Sequence, residues 1–266
     1  MKSRNASSLL LSSLLLPLLA APTPAQAPSR SVDELVRGSH IIFVGRVLKT
    51  GAVNLRVLSP SERTALVRVE ELLDSPASMA GIQGQEVTME LAQGGEAKAG
   101  DSAVFFTNGI LFGEHLEVKE VGRMPVPENR GALRQEISAV RTRMEEEKVQ
   151  ARVNSAVLIV VGRVMETEPV ERTGPISEHQ PDWARAIVQV EGVEKGSWQA
   201  KTVTVYFPQS TDERWLLSPK FHIKQEGIWL LHLEKNLGLP ADAFLALSPL
   251  DFHERDKAEM IRRLAH

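Results

Sequence analysis

Val44-Gly45-Arg46-Val47 recurs in the chain as Val161-Gly162-Arg163-Val164. Each copy lies in a nearly continuous apolar run rich in β-branched residues, at 40–49 and at 157–166. Such runs are typical of strands that are buried on both faces. A glycine weakens a strand unless the backbone bends or bulges there, as the long strands of small barrels do. The repeat therefore predicts a duplicated β unit whose first strand bends at its glycine.

Similar segments follow each copy in the same order, which makes the chain a tandem repeat. The expected second to fifth strands occupy 65–70, 86–91, 103–106 and 115–119 in the first unit, and 186–191, 202–207, 228–231 and 243–247 in the second. Five short strands are typical of a small Greek-key barrel of the OB type. The predicted fold is mainly β with flanking helices: two tandem five-stranded OB-like barrels, each closed by a C-terminal helix.

The helices are predicted from apolar periodicity and capping signals. Leu133, Ile137, Val140 and Met144 form one apolar stripe in a predicted helix at 131–149, and a second helix is expected at 251–264. Ser31 and Glu34 have the spacing of a capping box, which predicts a short helix before the first strand.

The first 27 residues have the pattern of a signal peptide. Lys2 and Arg4 precede an apolar run at 9–21, and Ala25-Gln26-Ala27 matches the small-x-small cleavage pattern. The run is too short to cross a bilayer, so we expect cleavage after Ala27, a secreted or periplasmic protein and no membrane span afterwards. The expected domains are the signal peptide at 1–27, the first barrel with a connecting helix at 28–150, and the second barrel with its C-terminal helix at 151–266.

Composition excludes several kinds of chemistry. The chain has no cysteine, which rules out disulfides, thiolate catalysis, cysteine-based zinc sites and a lipid-modified cysteine. Its formal net charge is −3, and removal of Lys2 and Arg4 makes it more negative. A mildly acidic chain has no electrostatic attraction for a phosphate backbone, so no nucleic-acid partner is expected.

The two copies differ most between the third and fourth strands. By the alignment above, this loop is nine residues longer in the second unit, where it occupies 208–224. Long decorated loops on rigid scaffolds often carry recognition. We therefore predict ligand-binding residues in it, namely Asp212, Arg214, Trp215, Lys220, Phe221 and His222. The alternative is that Trp215, Leu216 and Phe221 cover the barrel end as a small satellite core.

The repeated arginines and glutamates have a structural interpretation. Arg46 and Arg163 follow the bend glycines, Gly45 and Gly162, and Glu70 and Glu191 end the second strands. Since the first two strands are expected to be neighbours, the sequence predicts a cross-strand Arg–Glu pair in each unit.

No catalytic or metal-binding motif of any specificity is present. The seven histidines form no H-E-x-x-H pattern, and the acidic residues of 251–256 fall where a helix N-terminus is expected and would favour the helix dipole. No cofactor, metal or catalytic residue is expected.

The strand pattern of apolar run–Gly-Arg-Val, then Val-x-Val-Glu, then a terminal strand and helix resembles bacterial exported domains related to the tissue inhibitor of metalloproteinases. The likeness covers 39–124 and 155–250 and implies an OB-like barrel in each half. In the inhibitors an N-terminal cysteine chelates the zinc of the protease. This chain has no cysteine and its expected mature form begins at Pro28, so the resemblance implies the fold and not the inhibition.

Three functions follow from these observations. The first is an exported, non-catalytic binding or interaction protein whose expected partner is another protein at the cell envelope or outside. The second is a secreted hydrolase that uses His222 or His232 with Asp212, on the 208–224 loop. The third is nucleic-acid binding, a common use of OB barrels that the charge disfavours.

Overall fold

A computed structural model describes residues 30–54, 59–93, 96–112, 115–171, 181–234 and 237–266. The signal segment at 1–27 lies outside the described residues. Strands account for 41% of the described residues and helices for 26%, so the fold is mainly β, as the sequence predicts.

The first half of the chain forms a closed barrel of five strands. These are β1 (Ile41–Thr50), β2 (Thr64–Asp74), β3 (Glu86–Glu90), β4 (Ser102–Phe112) and β5 (His115–Met124). Around the barrel the order is β1-β2-β3-β5-β4, with β4 returning to β1. The β3–β5 pair is parallel and the other pairs are antiparallel.

The second half forms another sheet. Its strands are β6 (Leu158–Pro169), β7 (Trp183–Lys195), β8 (Thr202–Pro208), β9 (Glu226–Leu233), β10 (Phe244–Leu245) and β11 (Phe252–His253). Their order is β10-β8-β7-β6-β9-β11, and β10 also pairs with β9. The β8–β10 pair is parallel, as the β3–β5 pair is, and the remaining pairs are antiparallel.

The first strands of the two halves bulge at corresponding positions. Both strands have a register shift just before the glycine, at Val44/Gly45 in β1 and at Val161/Gly162 in β6. A Cβ atom at Gly162 would lie 2.1 Å from the carbonyl oxygen of Gln189. The predicted bend is therefore present in both strands, and at Gly162 the close approach of the neighbouring backbone leaves room only for glycine.

The predicted alignment of the fourth strands is wrong by one residue. Val44 pairs with Val104 and Val161 pairs with Ile228, so Ile228 corresponds to Val104 and not to Ala103. These strands are apolar on both faces and have no alternation to fix their register in the sequence.

Three α-helices are present among the described residues, α1 (Val32–Arg37), α2 (Arg130–Ser155) and α3 (Ala258–Ala265). The predicted capping box of Ser31 and Glu34 begins α1. The helix predicted at 251–264 is wrong in its first half. Short 3-10 turns at Pro249–Asp251 and Arg255–Lys257 flank β11, and the helix begins only at Ala258, because Phe252–His253 pairs with β9 instead.

Each half has an interior core and an outer cluster. In the first half, Ile41 and Phe43 of β1 point into the barrel, whereas Ile42 and Val44 pack under α1 and the first part of α2. The predicted stripe of α2 makes this outer contact. In the second half, alternate residues of β6 divide in the same way between an interior core and a cluster formed with α2 and α3.

Helix α2 is continuous through the predicted domain boundary. Its first part contributes Leu133, Ile137 and Val140 to the outer cluster of the first half, and its last part contributes Val149 and Val153 to that of the second. The predicted division at 150/151 thus falls inside one helix that both halves share. None of the helices in the described part of the chain is long and apolar enough to cross a bilayer.

The predicted Arg–Glu pair forms in one half only. The Nε atom of Arg46 lies 2.8 Å from Oε1 of Glu70. The Nε atom of Arg163 instead donates to Glu226 at 2.7 Å, and Glu191 pairs with Arg255. The reason is the residue of the fourth strand that lies opposite each arginine. Arg46 faces Ser102, but Arg163 faces a carboxylate, Glu226.

We expect Gly162→Ala to lower the free energy of unfolding by about 2–3 kcal/mol, because the added methyl group overlaps a backbone carbonyl that cannot move freely. The matched control is Gly81→Ala, where an added Cβ has no atom within 4 Å and a small change is expected. Urea unfolding of both variants measures the difference, and equal stabilities would contradict the proposed need for glycine in β6.

Candidate ligand-binding site

The long loop at 208–224 folds back onto the end of the second sheet. Phe221 is buried, with its ring centroid 4.9 Å from that of Phe207, 5.9 Å from Trp229 and 5.5 Å from Phe252. These are contacts within the interior core of the second half. Trp229, within the fourth strand predicted at 228–231, is itself fully buried.

Trp215 and Lys220 also make intramolecular contacts. The buried ring of Trp215 lies 6.1 Å from that of Trp183. The Nζ atom of Lys220 donates to the carbonyl oxygens of Pro208 and Trp215, and partial burial lowers the pKa of Lys220. These contacts hold the loop in its conformation.

The remaining predicted loop residues are exposed. The Asp212 carboxylate accepts a hydrogen bond from the backbone N–H of Arg214, and the Arg214 guanidinium lies 4.9 Å above the ring of Trp215. The backbone N–H of His222 donates to the side chain of Gln225. The satellite core accounts for Trp215 and Phe221 but not for Leu216, which is 60% exposed. A binding role for Asp212, Arg214 and His222 stays a prediction.

We expect Phe221→Ala to lower the free energy of unfolding by about 3–5 kcal/mol, because it opens a cavity among three aromatic rings. The control is Leu217→Ala in the same loop, where the side chain is 74% exposed and the expected loss is below about 0.5 kcal/mol. Thermal and urea unfolding of both variants test this, and a small effect at Phe221 would show that the loop does not contribute to the core.

A groove of about 420 Å³ lies over the outer face of β8. The side chains of β8 alternate, so that Val203, Val205 and Phe207 enter the interior core and the intervening residues point outward. The groove is lined by Thr202, Thr204 and Tyr206 of β8, by Trp198 before it, by Leu233 at the end of β9, and by Pro240, Asp242, Ala243 and Phe244 in and before β10.

Trp198 forms one wall of the groove and is held in place by two contacts. Its Nε1 atom donates to the carbonyl oxygen of Thr202 at 3.1 Å. Its ring meets the ring of Phe244 edge to face, with centroids 5.5 Å apart. An indole fixed in this way is a preorganised apolar surface. The groove therefore combines three aromatic side chains, two threonine hydroxyls and one carboxylate.

Sequence reasoning did not select these residues as a site. The available signal was the outward-facing Thr202, Thr204 and Tyr206, whose alternation with apolar residues is visible in the sequence. Trp198 lies close to these residues in the chain, but Leu233 and the 240–244 segment are brought to the groove by the fold.

No protein-family model matches the sequence, and a search of curated proteins found no significant match. The resemblance to domains related to the tissue inhibitor of metalloproteinases therefore stays a prediction made from the strand motifs.

A buried carboxylate joins α2 to the second half. Asp251 is fully buried, and its Oδ1 atom accepts a 2.8 Å hydrogen bond from Nε of Arg152 in α2. Its Oδ2 atom accepts hydrogen bonds from the backbone N–H groups of Leu247 and Ser248, both at 2.8 Å. Nε2 of His232 lies 3.2 Å from Oδ1. The expectation that Asp251 lies at the start of the C-terminal helix is wrong, because that helix begins at Ala258.

The surroundings of Asp251 bear on the hydrolase hypothesis, which uses His232, and on metal binding by the acidic residues of 251–256. His232 faces Asp251 in the protein interior, which is a structural contact between β9 and the turn before β11. Within the described residues, no three His, Asp or Glu side chains come together as a metal-binding group.

Asp251 makes the stability of the protein dependent on pH. Burial raises the pKa of Asp251, but the His232 side chain, the backbone of Ser248 and the Arg152 guanidinium together hold it below its ordinary value of 3.8. Because the folded-state pKa is lowered, its stabilisation is present above that ordinary value. It is lost as the pH falls from there through the folded-state pKa.

We expect Asp251→Asn to lower the free energy of unfolding at pH 7 by about 2–3 kcal/mol, since Arg152 loses its buried partner while keeping some contact with water. The difference from wild type should shrink as the pH falls below about 4. Asp256→Asn is the control, because this carboxylate is exposed and should show neither effect. Unfolding measured from pH 7 to pH 3 tests both points, and a difference that does not depend on pH would contradict the assignment.

Proposed function

We propose that this chain is an exported, non-catalytic binding protein built from two copies of an OB-like barrel. Export is supported by the sequence of the first 27 residues, with cleavage expected after Ala27. The proposed partner is a ligand or another protein at the cell envelope or outside.

Duplication of the barrel is supported by the strand pairings. β6, β7, β8, β9 and β10 pair with one another as β1, β2, β3, β4 and β5 do, including the parallel pair and the contact that links the fourth and fifth strands. Gly45 pairs with Val69, and Gly162 pairs with Val190. Phe252 of β11 pairs with Trp229 of β9. In the first half, Arg123 near the end of β5 pairs with Phe105 of β4 in the same way. On this proposal, β10 and β11 are the interrupted counterpart of β5.

The groove over β8 is the observation that carries the binding proposal. OB barrels bind oligonucleotides and oligosaccharides on the face of their second and third strands, beside the loops after the first and fourth strands. In the proposed second barrel β8 is the third strand, and Pro240 to Ala243 belong to the loop after the fourth. The groove thus occupies the position from which such barrels contact extended ligands.

The side chains of the groove favour a neutral, hydroxyl-rich ligand such as an oligosaccharide. Trp198 and Tyr206 offer apolar ring surfaces, and Thr202, Thr204 and Asp242 offer hydrogen-bonding groups. The described lining contains Asp242 as its one charged side chain and no lysine or arginine. A nucleic-acid backbone would need positive charge in the groove, so this site favours the saccharide over the oligonucleotide.

The hydrolase alternative gains no support from the positions of its residues. His232 contacts Asp251, and the Asp212 carboxylate caps the 3-10 turn at Glu213–Trp215. The backbone N–H of His222 donates to Gln225, and among the described residues neither His222 nor His232 is hydrogen-bonded to Asp212.

We expect Trp198→Ala to weaken oligosaccharide binding by about fivefold to about 150-fold, because an aromatic platform contributes about 1–3 kcal/mol to the binding of a stacked ring. The probes are hexasaccharides of β-1,4-linked glucose and of β-1,4-linked N-acetylglucosamine, titrated by calorimetry. The control is Leu216→Ala, an exposed residue outside the groove. If the wild-type protein binds neither probe, the groove is not a saccharide site. The same conclusion follows if the Trp198→Ala variant binds a probe as tightly as wild type does.

A further inference from the structure

The loops between the third and fourth strands end in the same turn in both halves. The backbone N–H of Gly100 donates to the carbonyl of Val47, and that of Lys224 donates to the carbonyl of Val164, both at 2.8 Å. Gly100 and Lys224 both have positive φ angles, of 96° and 72°. Val47 and Val164 are equivalent residues of the repeated tetrapeptide, so Gly100 corresponds to Lys224.

The side chains of the turn confirm this alignment. The backbone N–H of Lys98 donates to the Asp101 carboxylate, and the backbone N–H of His222 donates to the Gln225 side chain. Lys98 therefore corresponds to His222, and the residue before it, Ala97, corresponds to Phe221. The loop in the second half is longer by eight residues before this point, rather than the nine expected from the sequence.

The surroundings of this position differ between the halves. The Phe221 ring packs against Trp229 and Phe252, which face each other across β9 and β11. The corresponding residues of the first half are Phe105 and Arg123, which face each other across β4 and β5. Ala97 contributes only a methyl group to the interior core there.

A cavity of about 380 Å³ opens beside Phe105 and Arg123 in the first half. Ala103, Met124 and Pro125 complete its apolar lining. An apolar cavity of about 150 Å³ is large enough to hold a benzene molecule, so this one has room for an aromatic side chain. In the second half, Phe221 packs against the residues that correspond to Phe105 and Arg123.

The charged residues around the cavity determine which charge is favoured next to the ring of an aromatic ligand. The Arg123 guanidinium makes two hydrogen bonds to the Glu120 carboxylate, which is 5% exposed, so its charge is balanced. Glu96 and Asp101 also line the cavity, and both are exposed at its edge. The rim is therefore acidic and complementary to basic residues.

We propose that this cavity binds an aromatic side chain of a partner polypeptide, flanked by lysine or arginine. The partner's ring takes the position that Phe221 takes in the second half, and its basic residues face Glu96 and Asp101. The cavity is separate from the groove over β8 and involves none of the same residues.

The experiment is an NMR titration of the isotopically labelled protein with the blocked tripeptide acetyl-Lys-Phe-Lys-amide. Saturable shifts are expected at Ala97, Ala103 and Met124, and acetyl-Lys-Ala-Lys-amide should cause none there. Ala97 packs against the core cluster that contains Phe105, so we expect the ring of Ala97→Phe to enter the cavity from within the chain. It should weaken peptide binding at least tenfold and leave the unfolding temperature equal to or above that of wild type. Ala151→Phe, at an exposed position of α2, is the matched control and should bind as wild type does.

A second variant makes the test independent of packing in the cavity. Glu96→Lys changes an exposed side chain and should weaken the binding of the basic peptide several-fold without altering stability. The proposal is overturned if the alanine peptide causes the same shifts or if Ala97→Phe binds as tightly as wild type. It is also overturned if wild type shows no saturable shift at these residues below about 10 mM peptide.

Discussion

The first strand of each half is apolar on both faces, and the rest of the structure depends on covering both. One face of β1 and of β6 turns toward an interior core, which the other strands of the sheet complete. The other face needs a helix, and α2 supplies it to both strands, together with α1 at one end and α3 at the other. Burial of these apolar side chains is the dominant stabilising term, and the buried Asp251–Arg152 pair fixes where the second half meets the helix.

The sequence predicted the features that repeat and missed several features that do not. The tetrapeptide located the first strands and their bulges because glycine at that register has one structural purpose. The fourth strands were misaligned because an apolar run buried on both faces carries no alternation. The predicted partner of Arg163, Glu191, is wrong because Glu226 faces Arg163 from the fourth strand, whose register the sequence does not define. The helix expected from residue 251 began late, since strand pairing with β9 takes precedence over local propensity.

In the candidate sites, too, features that depend on nearby residues are predictable from the sequence, and contacts between distant segments are not. The sequence identified the loop at 208–224 as the main difference between the halves, but not that Phe221 points into the core. It gave no sign that Ala97 is the matching residue, because that correspondence depends on backbone hydrogen bonds at the end of each loop. The groove over β8 also cannot be predicted from the sequence, since its walls come from three separated segments. The two loops, which differ in length, place different side chains, Ala97 and Phe221, at corresponding positions.

The continuity of α2 has a consequence for the order in which the chain acquires its structure. Synthesis proceeds from the N-terminus, and the first part of α2 finds β1 and β4 already made. Val149 and Val153 are made before any residue of the second half that they cover. In the last turns of the helix, Val149 and Val153 are therefore exposed to solvent when they are first synthesised. They remain so until β9 and α3 arrive, close to the end of the chain. This interval is when the nascent protein is most exposed to wrong partners.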